Sequence, residues 1–80
     1  MEKSANKTAW ENFIHNVRWL RKHYCLSKKS MAMFLKIGVG SLNKIENGEI
    51  PPRLSVEILF NIYNHFGILP QDQLSRRLGE

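Results

Sequence analysis

Residues 27–48 have the sequence SKKSMAMFLKIGVGSLNKIENG, in which two short apolar periodicities flank a turn that contains Gly38. The apolar positions with helical spacing are Met31, Ala32 and Leu35 in the first half, and Leu42 and Ile45 in the second. A serine at the start suits a helix N-cap, and Asn-Gly at the end is typical of a helix stop. The stretch predicts two short helices, about 28–36 and 39–47, that pack closely because Ala32 is small.

A longer helix is predicted before this pair, over residues 9–24. Thr8 and Glu11 have the spacing of a capping box, which predicts Thr8 as the N-cap. The apolar stripe of this helix is predicted at Trp10, Phe13, Val17, Leu20 and Tyr24. Residues 1–8 are predicted to form a flexible N-terminal lead-in.

Two more helices are predicted after the pair. The prolines at 51 and 52 exclude helix, and Ser55 then caps a fourth helix that ends at Gly67. This fourth helix is expected to be the most buried, because it is the most apolar. Pro70 begins a short fifth helix. The predicted fold class is therefore all-α, with five helices in a single domain over residues 9–80.

The length of the chain limits what it contains. Eighty residues make one domain, without room for a small-molecule effector domain, and so small a core favours a homodimer. Leu74 and Leu78 of the fifth helix are the expected dimer surface, as an uncovered apolar edge.

Cys25 is the only cysteine and is expected to pack behind the first helix. A lone thiol, without a signal peptide or an apolar span, favours the cytoplasm and no membrane.

Positive charge is concentrated in one part of the chain. Residues 17–48 contain seven lysines and arginines and one acid, Glu46, so their net charge is +6 (seven minus one). The total is +5, so the remaining residues sum to −1. This distribution is typical of a surface that faces a polyanion, although a solvated basic surface would have the same charge.

Two lysines lie where a helix disfavours them. Lys28 and Lys29 fall in the first turn of the second helix, where the helix dipole repels cations. One interpretation is tolerance at an exposed site. The other is a bound phosphate, held by the free backbone N–H groups, the Ser27 hydroxyl and the two lysines. Asn47 and Arg53 are further candidates for phosphate contacts.

The third helix has the properties of a helix that enters DNA. With Leu42 and Ile45 inward, the residues expected to contact bases are Val39, Gly40, Ser41, Asn43 and Lys44. Valine suits a thymine methyl, serine and asparagine suit base edges, and lysine suits guanine. Glycine allows close approach. The set contains no arginine and no glutamine, so we expect modest direct readout and a contribution from DNA shape.

The same residues resemble the helix-turn-helix of the phage repressor and Cro (XRE) family. The matching positions are Leu26, Ser27, Met31, Ala32, Leu35, Ile37, Leu42 and the closing Ile45-Glu46-Asn47-Gly48. Val17-Arg18 and Leu20-Arg21 match in the first helix, and the likeness covers about residues 13–78. Lys36 departs from the glycine that is usual in the turn, and Cys25 also replaces a frequent glycine.

The resemblance implies a function and one structural contact. By resemblance the partner is operator double-stranded DNA, bound by a homodimer that acts as a transcriptional regulator, most often a repressor. It also implies that Arg21 pairs with Glu46 and so orients the third helix. The alternative is a protein-interaction module that keeps the fold without reading DNA, and a membrane-surface helix fits less well.

Catalytic and metal-binding patterns are not found in the sequence. His15, His23 and His65 are scattered, and no Cys or His spacing suits zinc. The acids form no convincing carboxylate pair. We expect no enzyme activity, no catalytic or metal-binding residues and no cofactor.

Overall fold

A computed structural model of the chain describes residues 2–49 and 56–79, with side chains described from residue 8 onward. The described helices are α1 (Glu2–His23), α2 (Lys28–Leu35), α3 (Val39–Glu46), α4 (Val56–Phe66) and α5 (Pro70–Ser75). The described ranges contain no strand, which confirms an all-α fold with five helices. None of these helices has the length and apolar character needed to cross a lipid bilayer.

The helix boundaries agree with those predicted from the sequence for α2, α3 and α5, and they disagree for α1. Ser27 is the N-cap of α2, and its side chain accepts a hydrogen bond of 3.0 Å from the Ser30 amide. Pro70 is the first residue of α5. The predicted cap at Thr8 is wrong, because α1 begins at Glu2 and Thr8 lies inside it. The predicted cap at Ser55 and the proline loop lie outside the described residues.

The first three helices end in the same way. After each helix, one residue adopts a left-handed backbone: Cys25 (φ 54°), Lys36 (φ 60°) and Gly48 (φ 91°). In each case the next amide reaches back to a carbonyl in the last helical turn, as Ile37 N does to Ala32 O at 3.0 Å. Glycine adopts this conformation freely, whereas Cys25 and Lys36 do so at a cost. The expected burial of Cys25 is wrong, since its side chain is exposed.

One hydrophobic core joins the helices. Its buried members are Phe13, Val17, Leu20, Met31, Ala32, Leu35, Leu42, Ile45, Ile58 and Ile62. Helix α1 packs against α3 and α5, while α2 packs against α3 and α4. Tyr24 was expected in the apolar stripe of α1 but is 52% exposed, because α1 ends at His23 and the chain turns there.

Buried amides attach the C-terminal segment to α1. Asn16 Nδ2 donates to Gln73 O at 2.8 Å and to Arg76 O at 2.7 Å, and its Oδ1 accepts from the Leu78 amide at 2.8 Å. Asn12 donates to Leu74 O at 3.0 Å. These bonds hold Leu74 and Leu78 half-buried against the core. The expectation of an uncovered apolar edge on α5 is therefore wrong.

Helix α4 is less buried than its composition predicts. Its fully buried residues are Ile58 and Ile62, which face α2 and the core. Val56, Phe60 and Tyr63 are 62%, 53% and 42% exposed. The prediction that this would be the most buried helix is wrong, because α4 packs against α2 and α5 while the face that carries Val56, Phe60 and Tyr63 stays exposed.

Candidate nucleic-acid interface

Helix α3 has one buried side and one open side. Leu42 and Ile45 are fully enclosed by the core, as the sequence predicted. Four residues of α3 are exposed, together with the residue that caps its C-terminus: Val39, Gly40, Ser41, Lys44 and Asn47. No described part of the chain covers this side, so an external molecule can reach it directly.

The N-terminus of α3 is open to an anion. Its N-cap is Gly38, which has no side chain to accept a hydrogen bond from the first turn, and the first turn contains no acid. The first amides of any helix have no carbonyl partner within the helix. Those of α3 therefore remain as donors, and the positive end of the helix dipole lies beside them.

Gly40 is not required by packing. A Cβ atom built on Gly40 would meet nothing within 4 Å. Glycine inside a helix costs about 0.8–1.0 kcal/mol relative to alanine, which is a large cost for a helix of eight residues. The fold therefore gives no reason for this glycine. Its effect is to leave the backbone of α3 accessible on the open side.

The start of α2 lies next to two exposed lysines. Lys28 and Lys29 occupy its first turn, which contains no acid. The Ser27 hydroxyl is engaged locally: it caps the Ser30 amide and donates to Ser30 Oγ at 3.1 Å. A phosphate at this end would therefore meet the remaining amides and the lysines more readily than the Ser27 side chain.

Lys36 adds a further positive charge between α2 and α3. It is exposed and serves as the C-cap of α2 in the left-handed conformation. In the sequence, Lys36 departs from the glycine usual in this turn, and it is not among the residues predicted to contact DNA. Its place in the basic stretch, between two helices with exposed lysines, was the signal that it belongs to this surface.

Arg21 and Glu46 form a two-pronged ion pair between α1 and the last residue of α3. Arg21 Nε lies 2.7 Å from Glu46 Oε2, and Nη2 lies 3.0 Å from Oε1. The Arg21 and Glu46 side chains are 21% and 8% exposed. The hydrogen bonds to Glu46 raise the pKa of Arg21 above its ordinary value. The pair fixes the end of α3 and neutralises Glu46, the one acid within α2 and α3.

Asn43 differs from the other residues predicted to contact bases. It is half-buried, and its Oδ1 atom is enclosed without a hydrogen-bond partner. Its side chain is thus less available to an external molecule than those of Ser41 and Lys44. Arg53, predicted to contact a phosphate, lies outside the described residues.

The described residues bring together no three His, Cys, Asp or Glu side chains that could hold a metal ion. Comparisons with protein families, with curated proteins and with solved structures found no match to this chain.

Proposed function

We propose that the chain is a transcriptional regulator, acting most simply as a repressor, that binds double-stranded DNA in the cytoplasm. In this proposal α2, the turn at Lys36 and α3 form a helix-turn-helix of the kind found in the phage repressor and Cro family. The observation that carries the proposal is the two-sided character of α3. Its inner side is buried in the core, and its outer side is uncovered and presents Val39, Gly40, Ser41 and Lys44.

The dimensions of α3 suit the major groove. An α-helix with its side chains is about 10–12 Å in diameter, and the major groove of B-DNA, about 12 Å wide, admits one helix. Close approach requires small side chains on the entering face. Gly40 and Ser41 meet this requirement on the open side of α3.

Phosphate contacts are assigned to the basic residues around α3. Lys28, Lys29 and the free amides of α2 would bind one strand, with Lys36 beside them. Asn47 and Arg53 are proposed to contact flanking phosphates. These contacts position α3 and give affinity without sequence preference.

Base contacts are assigned to the open side of α3. Val39 would contact a thymine methyl, while Ser41 and Lys44 would reach polar base edges. Asn43 would have to leave its half-buried position to reach an adenine. The proposal assigns no catalytic residue and requires no cofactor.

Selection of binding sites from a random DNA pool tests the proposal. We expect an enriched site with two similar halves about one helical turn apart, as a symmetric dimer requires. Affinity for the enriched duplex should fall steeply as salt rises, because several phosphate contacts release counterions. Recovery of no enriched site, together with affinity that does not change with salt, would contradict the proposal.

A protein-interaction module is the second candidate, and one observation favours it. Aromatic and imidazole rings form a continuous chain across the helices, from Trp19 through His23, Tyr24, Phe66 and Phe34 to His65. Exposed rings are common at protein interfaces. If this candidate is correct, Tyr24→Ala abolishes binding of the protein partner, and Lys28→Ala does not.

A further inference from the structure

An apolar stripe lies along the outer side of α4. It consists of Val56, Phe60 and Tyr63, which are spaced by four and three residues and so share one face. All three are exposed, whereas Ile58 and Ile62 on the opposite face are buried. We infer that this stripe is the surface on which a second copy of the chain docks, so that two α4 helices pack against each other.

The charge of α4 favours a second copy over nucleic acid. The chain has twelve lysines and arginines, and α4 contains none of them. A polyanion would find no cation on this helix. Two copies of a chain with a net charge of +5 repel each other over most of their surfaces. They repel least where each presents a helix without lysine or arginine.

The surface around the stripe is complementary to itself. Beside Phe60 lies a groove of about 250 Å³ between the end of α2 and α4, lined by Leu35, Lys36, Ile37, Glu57, Ile58, Phe60 and Asn61. A two-fold interface joins the same patch on both copies, so a protruding group must have its receiving site nearby. The exposed Phe60 ring and this adjoining groove, whose lining includes Leu35, Ile37 and Ile58, provide both.

The size of the stripe predicts a weak dimer. Fully buried aromatic side chains remove ~150–250 Å² each from water, and the rings of Phe60 and Tyr63 are about half exposed. With Val56, the stripe offers roughly 250 Å² per copy, compared with about 800 Å² per partner in a standard interface. An interface this small should dissociate readily, so we expect the dimer to form only at high protein concentration.

The dimer rests on the proposed function in one respect only: two copies on adjacent half-sites would strengthen each other's binding. Self-association itself is a property of α4 and needs no DNA. The experiment is therefore performed on the full chain without DNA, so that failure of self-association and failure of DNA binding are distinguishable.

Sedimentation equilibrium across the micromolar range tests the inference. The wild-type chain should fit a monomer–dimer equilibrium, and Phe60→Glu should weaken it at least about tenfold by placing two carboxylates across the two-fold axis. Met33→Glu is the matched control, because Met33 is also an exposed apolar residue but lies on α2. Circular dichroism checks that both variants keep the helical fold.

Disulfide trapping provides a second measurement. In a Cys25→Ser background, Phe60→Cys should form covalent dimers on mild oxidation, whereas Met33→Cys should not, because only position 60 lies near the two-fold axis. Three results would each overturn the inference: a wild-type monomer at all concentrations, a Phe60→Glu variant that dimerises as the wild type does, and equal trapping at positions 60 and 33.

Discussion

Helices α3 and α4 have similar buried faces and chemically different exposed faces. Each buries two aliphatic residues in the core: Leu42 and Ile45 in α3, and Ile58 and Ile62 in α4. On the outside, α3 presents a valine with glycine, serine and lysine, whereas α4 presents a valine with two large rings. The buried faces explain why both segments are helical. The chemistry of the outer faces indicates which kind of partner each helix could bind.

The difference shows how a chain of this size can divide its surface between two partners. A small, cationic face suits a groove lined with phosphates, and an uncharged apolar face suits a copy of itself. Changes on α3 should therefore affect DNA affinity and leave self-association unchanged. Changes on the α4 stripe should weaken self-association and leave the affinity for a single DNA half-site unchanged.

The largest effect is expected at the attachment of α3 to α1. Arg21→Ala leaves the nearly enclosed Glu46 carboxylate without its partner and should lower the free energy of unfolding by about 3 kcal/mol. Urea unfolding measures this, and DNA affinity should fall because the end of α3 is no longer fixed. The control is Arg18→Ala, which replaces an exposed arginine one turn before Arg21 on α1 and should change the free energy of unfolding by less than about 0.5 kcal/mol. If Glu46→Ala changes neither stability nor DNA affinity, the ion pair does not orient α3.

The next largest effect concerns the lysines at the start of α2. The double variant Lys28→Ala, Lys29→Ala should weaken binding to all duplexes alike and reduce the salt slope by up to about 2. Fluorescence anisotropy at several salt concentrations measures the slope. Arg76→Ala removes a charge just after α5, which packs on α1 and α4, and should leave the slope unchanged. If the double variant has the same salt slope as the wild type, the start of α2 does not contact DNA.

A smaller effect, with opposite signs in two assays, is expected at Gly40. Gly40→Ala should raise the free energy of unfolding by about 0.5–1 kcal/mol, because the added methyl has room and favours helix. Gly40→Leu should also retain the fold, yet bind DNA more weakly because the side chain stands between α3 and the groove. Thermal unfolding and DNA titration on the same samples separate the two effects. Unchanged DNA affinity in Gly40→Leu would contradict close approach at this position.

The smallest effects are expected at the left-handed residues. Lys36→Gly and Cys25→Gly should each stabilise the chain by about 0.5–1 kcal/mol, because glycine adopts the left-handed conformation without strain. The two variants should differ in DNA affinity, since Lys36→Gly removes a cation beside α3 and Cys25→Gly removes none. Equal DNA affinities would place Lys36 outside the interface.

The sequence predicted the segment around α2 and α3 better than the rest of the molecule. Local signals decide this segment: the Ser27 cap, the apolar spacing and the stop at Gly48 all lie within it. The early start of α1 was missed because capping-box spacing also occurs inside helices. The exposure of α4 could not be predicted, because periodicity identifies apolar positions but does not tell which neighbours will cover them.

The burial of the Asn12 and Asn16 side chains also could not be predicted from local sequence patterns. Asn12 and Asn16 hold backbone atoms of the C-terminal segment, about sixty residues away along the chain. Their spacing of four residues on α1 resembles an ordinary exposed face. Only the packing of α5 on α1 reveals that they are enclosed.

The strained backbone at Cys25 and Lys36 has an evolutionary consequence. At each position a single substitution to glycine would relieve strain, so the chain lies below the stability its fold allows. A lineage that acquired such a change could accept destabilising replacements on the open side of α3, and so alter the proposed DNA preference without losing the fold. At Cys25 such a change removes no lysine or arginine, and so would leave intact the charges that are proposed to face DNA.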